Sequence, residues 1–446
     1  MTHTVNVAQV IDGQAIGAFQ IRAFALCAAV LFVDGFDVQG ITYVAPAISQ
    51  TWNLPRGALG PTFSAGLFGL MLGALFFAPL ADRVGRRTVI ISSCVAFGIG
   101  TLLTTWAESL TSLLVLRFFT GFGLGSALPN AIGLASEYAP RRRRGLVVMF
   151  VASGISLGSI ASGMAAAQLI STLGWRWLFA IGGVLPLLLA LALIKWLPES
   201  IRFAALTPER QPEARRLLHQ IRPDLAVDER ARIESGGEEG GHARMADLFT
   251  GERRHATPLL WVAFFFSLLN VYLVINWLPT SLNASGFTQE QAAVMASLYH
   301  LGGVAGTYAL GLLMDRVGPH RLLMGAFLLA SVGFYVFATA TGMSQRGTTV
   351  VLMATGFGVV GGQVALTALC AMIYPVAMRA TGLGWALGIG RVGSIVGPTV
   401  GGMMLATTPD PRTVYLVCIV PALIALVCVA LLRWSAAPRV QPARAV

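Results

Sequence analysis

Twelve apolar stretches, each long enough to cross a bilayer as a helix of about 20 residues, decide what this chain can fold into. They centre near residues 22–46, 57–80, 88–107, 110–135, 145–170, 175–196, 258–281, 290–313, 321–341, 347–374, 380–405 and 412–433. In hydrocarbon each backbone N–H and C=O must find its partner within the segment, and a helix does this. The fourth and tenth stretches are interrupted by Gly and polar residues, which membrane helices use for close approach. Composition agrees, with 55% hydrophobic and 11% charged residues, against about 25% charged in a soluble domain. So few charges could not clothe a soluble chain of 446 residues. A disordered protein, a coiled coil and almost every soluble enzyme are excluded. The expected class is an all-α membrane protein.

The net charge of +11 is almost all arginine, since Lys195 is the only lysine. The arginines sit in short loops. Arg83, Arg86, Arg87, Arg141 to Arg144, Arg316, Arg321, Arg379, Arg433, Arg439 and Arg444 fall on one side; Arg56, Arg176, Arg346 and Arg412 fall on the other. The richer side is expected to be cytoplasmic. That places both termini inside the cell and the chain in the inner membrane. The bilayer, rather than nucleic acid, is the partner this basic balance implies. Cys27, Cys94, Cys370, Cys418 and Cys428 all lie in apolar stretches and read as small core residues. No metal site, nucleophile elbow or phosphate-binding glycine loop is present in the sequence, so no cofactor is expected and any transport must draw on an ion gradient. The first twenty residues show no cleavable signal pattern.

A polar stretch from 197 to 257 carries Pro208, Pro212 and Pro223. It reads as a cytoplasmic linker with a short amphipathic helix over Pro212–Ile221. The expected organisation is a tail at 1–21, six helices over 22–196, the linker at 197–257, six helices over 258–433 and a tail at 434–446. The halves look related. Ala81–Arg87 reads ADRVGRR and Met314–His320 reads MDRVGPH, and the interval from Asp82 to Asp315 also carries Pro46 onto Pro279. A duplicated six-plus-six arrangement with a long central loop is the layout of a secondary transporter.

The loop after the second stretch contains Asp82, Arg83, Gly85, Arg86 and Arg87, with Gly73 upstream. This pattern resembles the loop signature of the major facilitator superfamily, although Pro79 departs from it. The resemblance implies two pseudo-symmetric six-helix bundles that open alternately to each side. Gly73, Asp82, Arg83, Gly85, Arg86 and Arg87 would then form a gate, with Asp315 its counterpart in the second half and Glu137 bracing it. Gly85 permits a tight turn, and Asp82 can bond a helix N-terminus.

The first stretch holds Asp34-Gly35-Phe36-Asp37. Carboxylates three apart share a helix face, and each costs about 2.5–3.5 kcal/mol in a membrane when charged. Desolvation and mutual repulsion both favour a proton on one of them, as a proton carrier requires. The same DGFD resembles the first helix of one branch of the superfamily, the aromatic acid:proton symporters. Arg117, followed by Gly121, Gly123 and Gly125, resembles a fourth-helix motif linked to proton coupling. Its natural partner is Asp34 or Asp37.

Gly388–Pro398 reads GIGRVGSIVGP. A guanidinium there is a bidentate hook for a carboxylate, and the run resembles that of the same symporters. Arg391 is the expected substrate anchor. His300, Asn276, Tyr308, Gln363 and Trp385 are candidates for stacking or hydrogen bonding to a hydroxylated ring. Val271–Pro279 is closer to the hydroxyphenylpropionate branch and DGFD to the hydroxybenzoate branch. The expected partners are a small aromatic carboxylate and protons, carried by a monomer. Proton-driven efflux of a hydrophobic compound, a carrier for a non-aromatic organic anion and a non-transporting sensor are the alternatives. Efflux is disfavoured because the fifth stretch lacks a GPxxGG run.

Overall fold

A computed structural model describes residues 4–223, 232–234, 245–251, 253–340, 342–408, 410 and 412–435. The side chains of residues 4, 78, 79, 232, 315, 376, 377, 434 and 435 lie outside the described set. The gate candidate Asp315, the arginines 439 and 444, and most of the 434–446 tail therefore lie outside it too.

Among the described residues the chain forms twelve long helical segments. They are α1 (Ala18–Thr51), α2 (Gly60–Val84), α3 (Arg86–Trp106), α4 (Leu110–Tyr138), α5 (Arg144–Thr172) and α6 (Arg176–Trp196), then α7 (Arg253–Ala284), α8 (Gln289–Val317), α9 (Pro319–Thr339), α10 (Gln345–Ile373), α11 (Val376–Thr407) and α12 (Thr413–Ser435). Nine are apolar and long enough to cross a bilayer. The other three, α1, α8 and α11, carry Asp34 and Asp37, Glu290, and Arg391. In α10 a π-helical turn at Phe357–Gly361 precedes Gln363; such turns interrupt regular helix pairing and recur at functional positions.

The chain divides into two compact units. One comprises Met1–Glu239 with Gly286–Ser297, the other Gly240–Ser285 with Leu298–Val446. Within the first unit α1 packs on α5, α2 on α4 and α3 on α6. Glycine makes these crossings close. A methyl group on Gly35 would strike the backbone of Ile155, and one on Gly158 the backbone of Phe32. Within the second unit α7 packs on α11 and α9 on α12, while α8 meets α10 where Gly302 faces the Met353 backbone and Gly306 that of Phe357. The three pairings of the first unit thus recur six helices later. The internal repeat seen in the two DRVG loops extends to the packing.

The N-terminal arm and the central connector are joined in the first unit. Strand β1 (Thr4–Asn6) pairs in parallel with β2 (Arg232–Glu234). Asn6 accepts the N–H groups of Ala8 and Gln9 and so caps the helix Val7–Asp12. That helix buries Val7, Val10 and Ile11 in the apolar cluster that also holds Leu217, Leu218 and Ile221 of the helix Gln211–Ile221.

Candidate functional site

In the first unit Asp37 of α1 and Arg117 of α4 meet. Asp37 is 3% exposed and Arg117 4%, and Arg117 Nη1 lies 3.4 Å from Asp37 Oδ2. Two threonines of α3 complete the pair. The Thr101 hydroxyl donates to Asp37 Oδ1. Arg117 Nη2 donates to Thr104 Oγ1 at 3.0 Å, whose own hydroxyl donates to the Gly100 carbonyl at 2.9 Å. From α6 the Phe179 ring lies 4.9 Å from the guanidinium carbon, a cation–π contact that strengthens when water is absent. Four helices therefore hold one buried ion pair. An unpaired buried charge would cost several kcal/mol, so the pairing explains why both residues tolerate this depth. Asp34, the alternative partner for Arg117, is buried one turn earlier in α1.

In the second unit Arg391 is half-buried, and its Nη1 donates to the Tyr272 hydroxyl of α7 at 3.3 Å. The tyrosine hydroxyl is neutral, so the positive charge is not cancelled there. Asn276 lies one turn beyond Tyr272 and donates to its carbonyl at 2.7 Å. Gln363 is buried with an unpartnered Oε1. His300 is buried, its ring edge-on to Tyr299. Tyr308 and Trp385 are more exposed. Trp385 stacks on Trp261, which in turn abuts Phe249, so its ring belongs to an aromatic cluster around α7.

The gate candidates sit where α2 turns into α3. Gly85 has φ +95° and ψ 148°, a region open to glycine, and offers no side chain to cap α3. The sequence offers Asp82 for this helix start. The carboxylate found there is that of Glu199, which accepts the backbone N–H of Arg87 at 3.0 Å and of Ser200 at 2.7 Å. An anion there is favoured by the orphan N–H groups and the helix dipole. Arg86 Nη2 lies 3.2 Å from Glu137 Oε1, and the Ser200 hydroxyl donates to Glu137 Oε2 at 2.5 Å. Asp82, Arg86 and Glu137 line one cleft of about 540 Å³ together with Arg202. Arg83 is exposed, and Gly73 is a packing position against the Phe122 backbone. Sequence reasoning missed Glu199 and the two threonines. Glu199 had one signal, an acidic residue directly after an apolar stretch in a chain with only 20 acids; Thr101 and Thr104 had none.

Residues 27–259 and 260–445 each match the family model described as Major Facilitator Superfamily. Over 426 residues, 95% of each protein, the chain is 40% identical to the 4-hydroxybenzoate transporter PcaK of Pseudomonas putida. It is 37% identical to the 3-(3-hydroxy-phenyl)propionate transporter of Escherichia coli K12 over 386 residues, 85% of this chain and 86% of that one. Among solved structures it resembles a bacterial homologue of the human lysosomal transporter Spinster in its inward-facing, occupied conformation. The TM-score is 0.74 at 17% identity, covering 94% of this chain and 98% of that one, a likeness of fold alone. With both halves matched and relatives of this identity spanning nearly the whole chain, the protein belongs to the Major Facilitator Superfamily and is a multi-pass membrane carrier.

Proposed function

We propose that this protein takes up an aromatic carboxylic acid, of the hydroxybenzoate kind, together with protons across the inner membrane by alternating access. The relative at 40% identity over 95% of the chain, a 4-hydroxybenzoate transporter, supports the substrate class. The buried pair of Asp37 and Arg117 carries the coupling. A guanidinium stays charged at any physiological pH, so only the carboxylate can exchange a proton. A proton on Asp37 cancels the Coulomb attraction, while Thr104 and the Phe179 ring still hold Arg117 in place. When the proton leaves, the attraction returns. The pair has two states, and one proton separates them. Asp34 lies three residues away on the same helix and is the second candidate carrier.

Arg391 is the proposed anchor for the substrate carboxylate, with Tyr272 fixing the guanidinium. The ring contacts are assigned to His300, Asn276, Tyr308, Gln363 and Trp385. The arginine-rich loops face the cytoplasm, with both termini there, and the charged cleft around Arg86 and Glu137 acts as the gate on that side. A monoanion moving with one proton is electroneutral and responds to the pH difference alone. Each further proton adds about 2.3 kcal/mol per 100 mV.

Purified protein in vesicles, given labelled 4-hydroxybenzoate and an acid exterior, should accumulate label, and Asp37→Asn should not. Entry indifferent to the imposed pH difference would remove the coupling. The relative from Escherichia coli supports a second substrate, a hydroxyphenylpropionate. Competition by the two acids in the same vesicles ranks them.

A further inference from the structure

At the ends of α3 and α6, in the first unit, lies a cleft of about 510 Å³ lined by Leu102, Thr105, Trp106, Glu108, Arg176 and Trp177. It is far in sequence from the arginine-rich loops, at the opposite ends of both helices. Arg176 is held in place. Its Nε donates to the Thr105 carbonyl at 3.0 Å and its Nη2 to the Ala107 carbonyl at 3.3 Å, while its guanidinium lies 4.5 Å over the Trp175 ring. None of these partners carries a charge, so its positive charge stays uncompensated by them. Glu108, exposed on the same rim, supplies the opposite sign.

Below this charged rim the two helices expose apolar stripes. On α3 they are Ile99, Leu103 and Trp106, which is 68% exposed; on α6 they are Trp177, Val184, Leu188 and Leu191. The spacing of three, four and seven keeps each stripe on one face. The backbones between the stripes touch, because Gly183 has no side chain to separate α6 from Leu102. A cation and an anion above two apolar rails, with tryptophans at the boundary, match an amphiphile with a zwitterionic head.

We propose that this cleft binds one phospholipid of the leaflet opposite the arginine-rich loops, a phosphatidylethanolamine. Its phosphate sits on Arg176, its ammonium on Glu108 and its acyl chains lie along the stripes of α3 and α6. The charge pattern selects this occupant. A lipid with an anionic head and no ammonium satisfies Arg176 alone, and an aromatic acid leaves the stripes uncovered.

The test uses native mass spectrometry of the full chain in neutral detergent, titrated with palmitoyl-oleoyl phosphatidylethanolamine or the matching phosphatidylglycerol. The wild type should retain phosphatidylethanolamine more strongly at equal load. Arg176→Gln should lower retention of both lipids by about tenfold, the weight of one charge-assisted hydrogen bond. Glu108→Gln should lower only phosphatidylethanolamine, to the level of phosphatidylglycerol. Trp106→Ala removes a ring that faces outward and leaves the fold intact, so it serves if Arg176→Gln does not fold; it should weaken both lipids. The proposal fails if Trp106→Ala and the folded charge variants retain lipid like the wild type, if the wild type shows no preference, or if 4-hydroxybenzoate displaces the lipid at its transport concentration.

Discussion

Glu199 Oε1 accepts the backbone N–H of Arg87 at 3.0 Å, so a residue beyond the end of α6 caps the start of α3. The cap comes from elsewhere in the chain because Gly85 occupies the position that would normally supply it. Glu199 is 4% exposed, and its backbone carbonyl also accepts the Tyr138 hydroxyl at 2.5 Å. One residue thus ties α3, α4 and the connector.

Removing that carboxylate leaves two N–H groups and no acceptor. Glu199→Ala is expected to lower stability by about 1–3 kcal/mol, and Glu199→Gln, which keeps one oxygen, by less. Gly85→Ala should cost at least as much. It forces a side chain into a region costing about 1–3 kcal/mol, and its Cβ collides with the Glu199 carboxylate. Thermal unfolding of the purified variants in detergent ranks them. Equal melting temperatures for Glu199→Ala and wild type would contradict the cap.

Breaking the pair of Asp37 and Arg117 on one side leaves a buried charge. Asp37→Ala or Arg117→Leu alone should destabilise by about 3–5 kcal/mol. The double variant should lose much less than the two single losses combined, because neither charge is then stranded. Denaturation of all four proteins closes the cycle. Additive losses would mean the two groups do not interact. Transport should be absent in all three variants.

Thr104→Val keeps the shape of the side chain but takes away the acceptor for Arg117 Nη2. The expected cost is about 1–3 kcal/mol for one unpaired donor. Thr104→Ser retains the hydroxyl and should restore uptake. If Thr104→Val accumulated labelled substrate like the wild type, the hydroxyl would have no part in holding the guanidinium.

Tyr272→Phe removes the hydroxyl that receives Arg391 Nη1 and leaves the ring. Apparent KM for the aromatic acid should rise about three- to tenfold, as expected for one hydrogen bond worth about 0.5–1.5 kcal/mol. Arg391→Lys should impair uptake further, since an ammonium cannot form two parallel bonds to a carboxylate. Initial rates against substrate concentration separate the two effects. An unchanged KM in Arg391→Lys would place Arg391 among the packing residues.

The sequence disclosed what short-range physics demands. A bilayer requires long apolar runs, so the helical segments were readable directly. A buried arginine requires a counter-ion, which limits the partner of Arg117 to Asp34 or Asp37 on sequence grounds alone. The choice of Asp37 depends on how α1, α3 and α4 cross, and that crossing is set by glycines whose neighbours lie far away in the chain. Thr101 and Thr104 look like any polar residues near a helix end until α3 is placed beside Asp37. Glu199 was similarly hidden. Its partner is a backbone N–H in another helix, and every residue but proline carries one. The tail at 1–21 and the linker at 197–257 read as separate polar segments. Their pairing rests on two strands of three residues each, too short for any periodic pattern to reveal.

That pairing orders events during synthesis. Thr4–Asn6 precedes six long helices in the chain, and its partner Arg232–Glu234 emerges from the ribosome only after all six have been made. Until then Val7, Val10 and Ile11 have no complete apolar seat, because Leu217, Leu218, Ile221 and Ile233 are still to come. The closing of this small sheet therefore marks completion of the first half, and a change that disrupts Thr4–Asn6 would obstruct that late docking step rather than the insertion of the helices themselves.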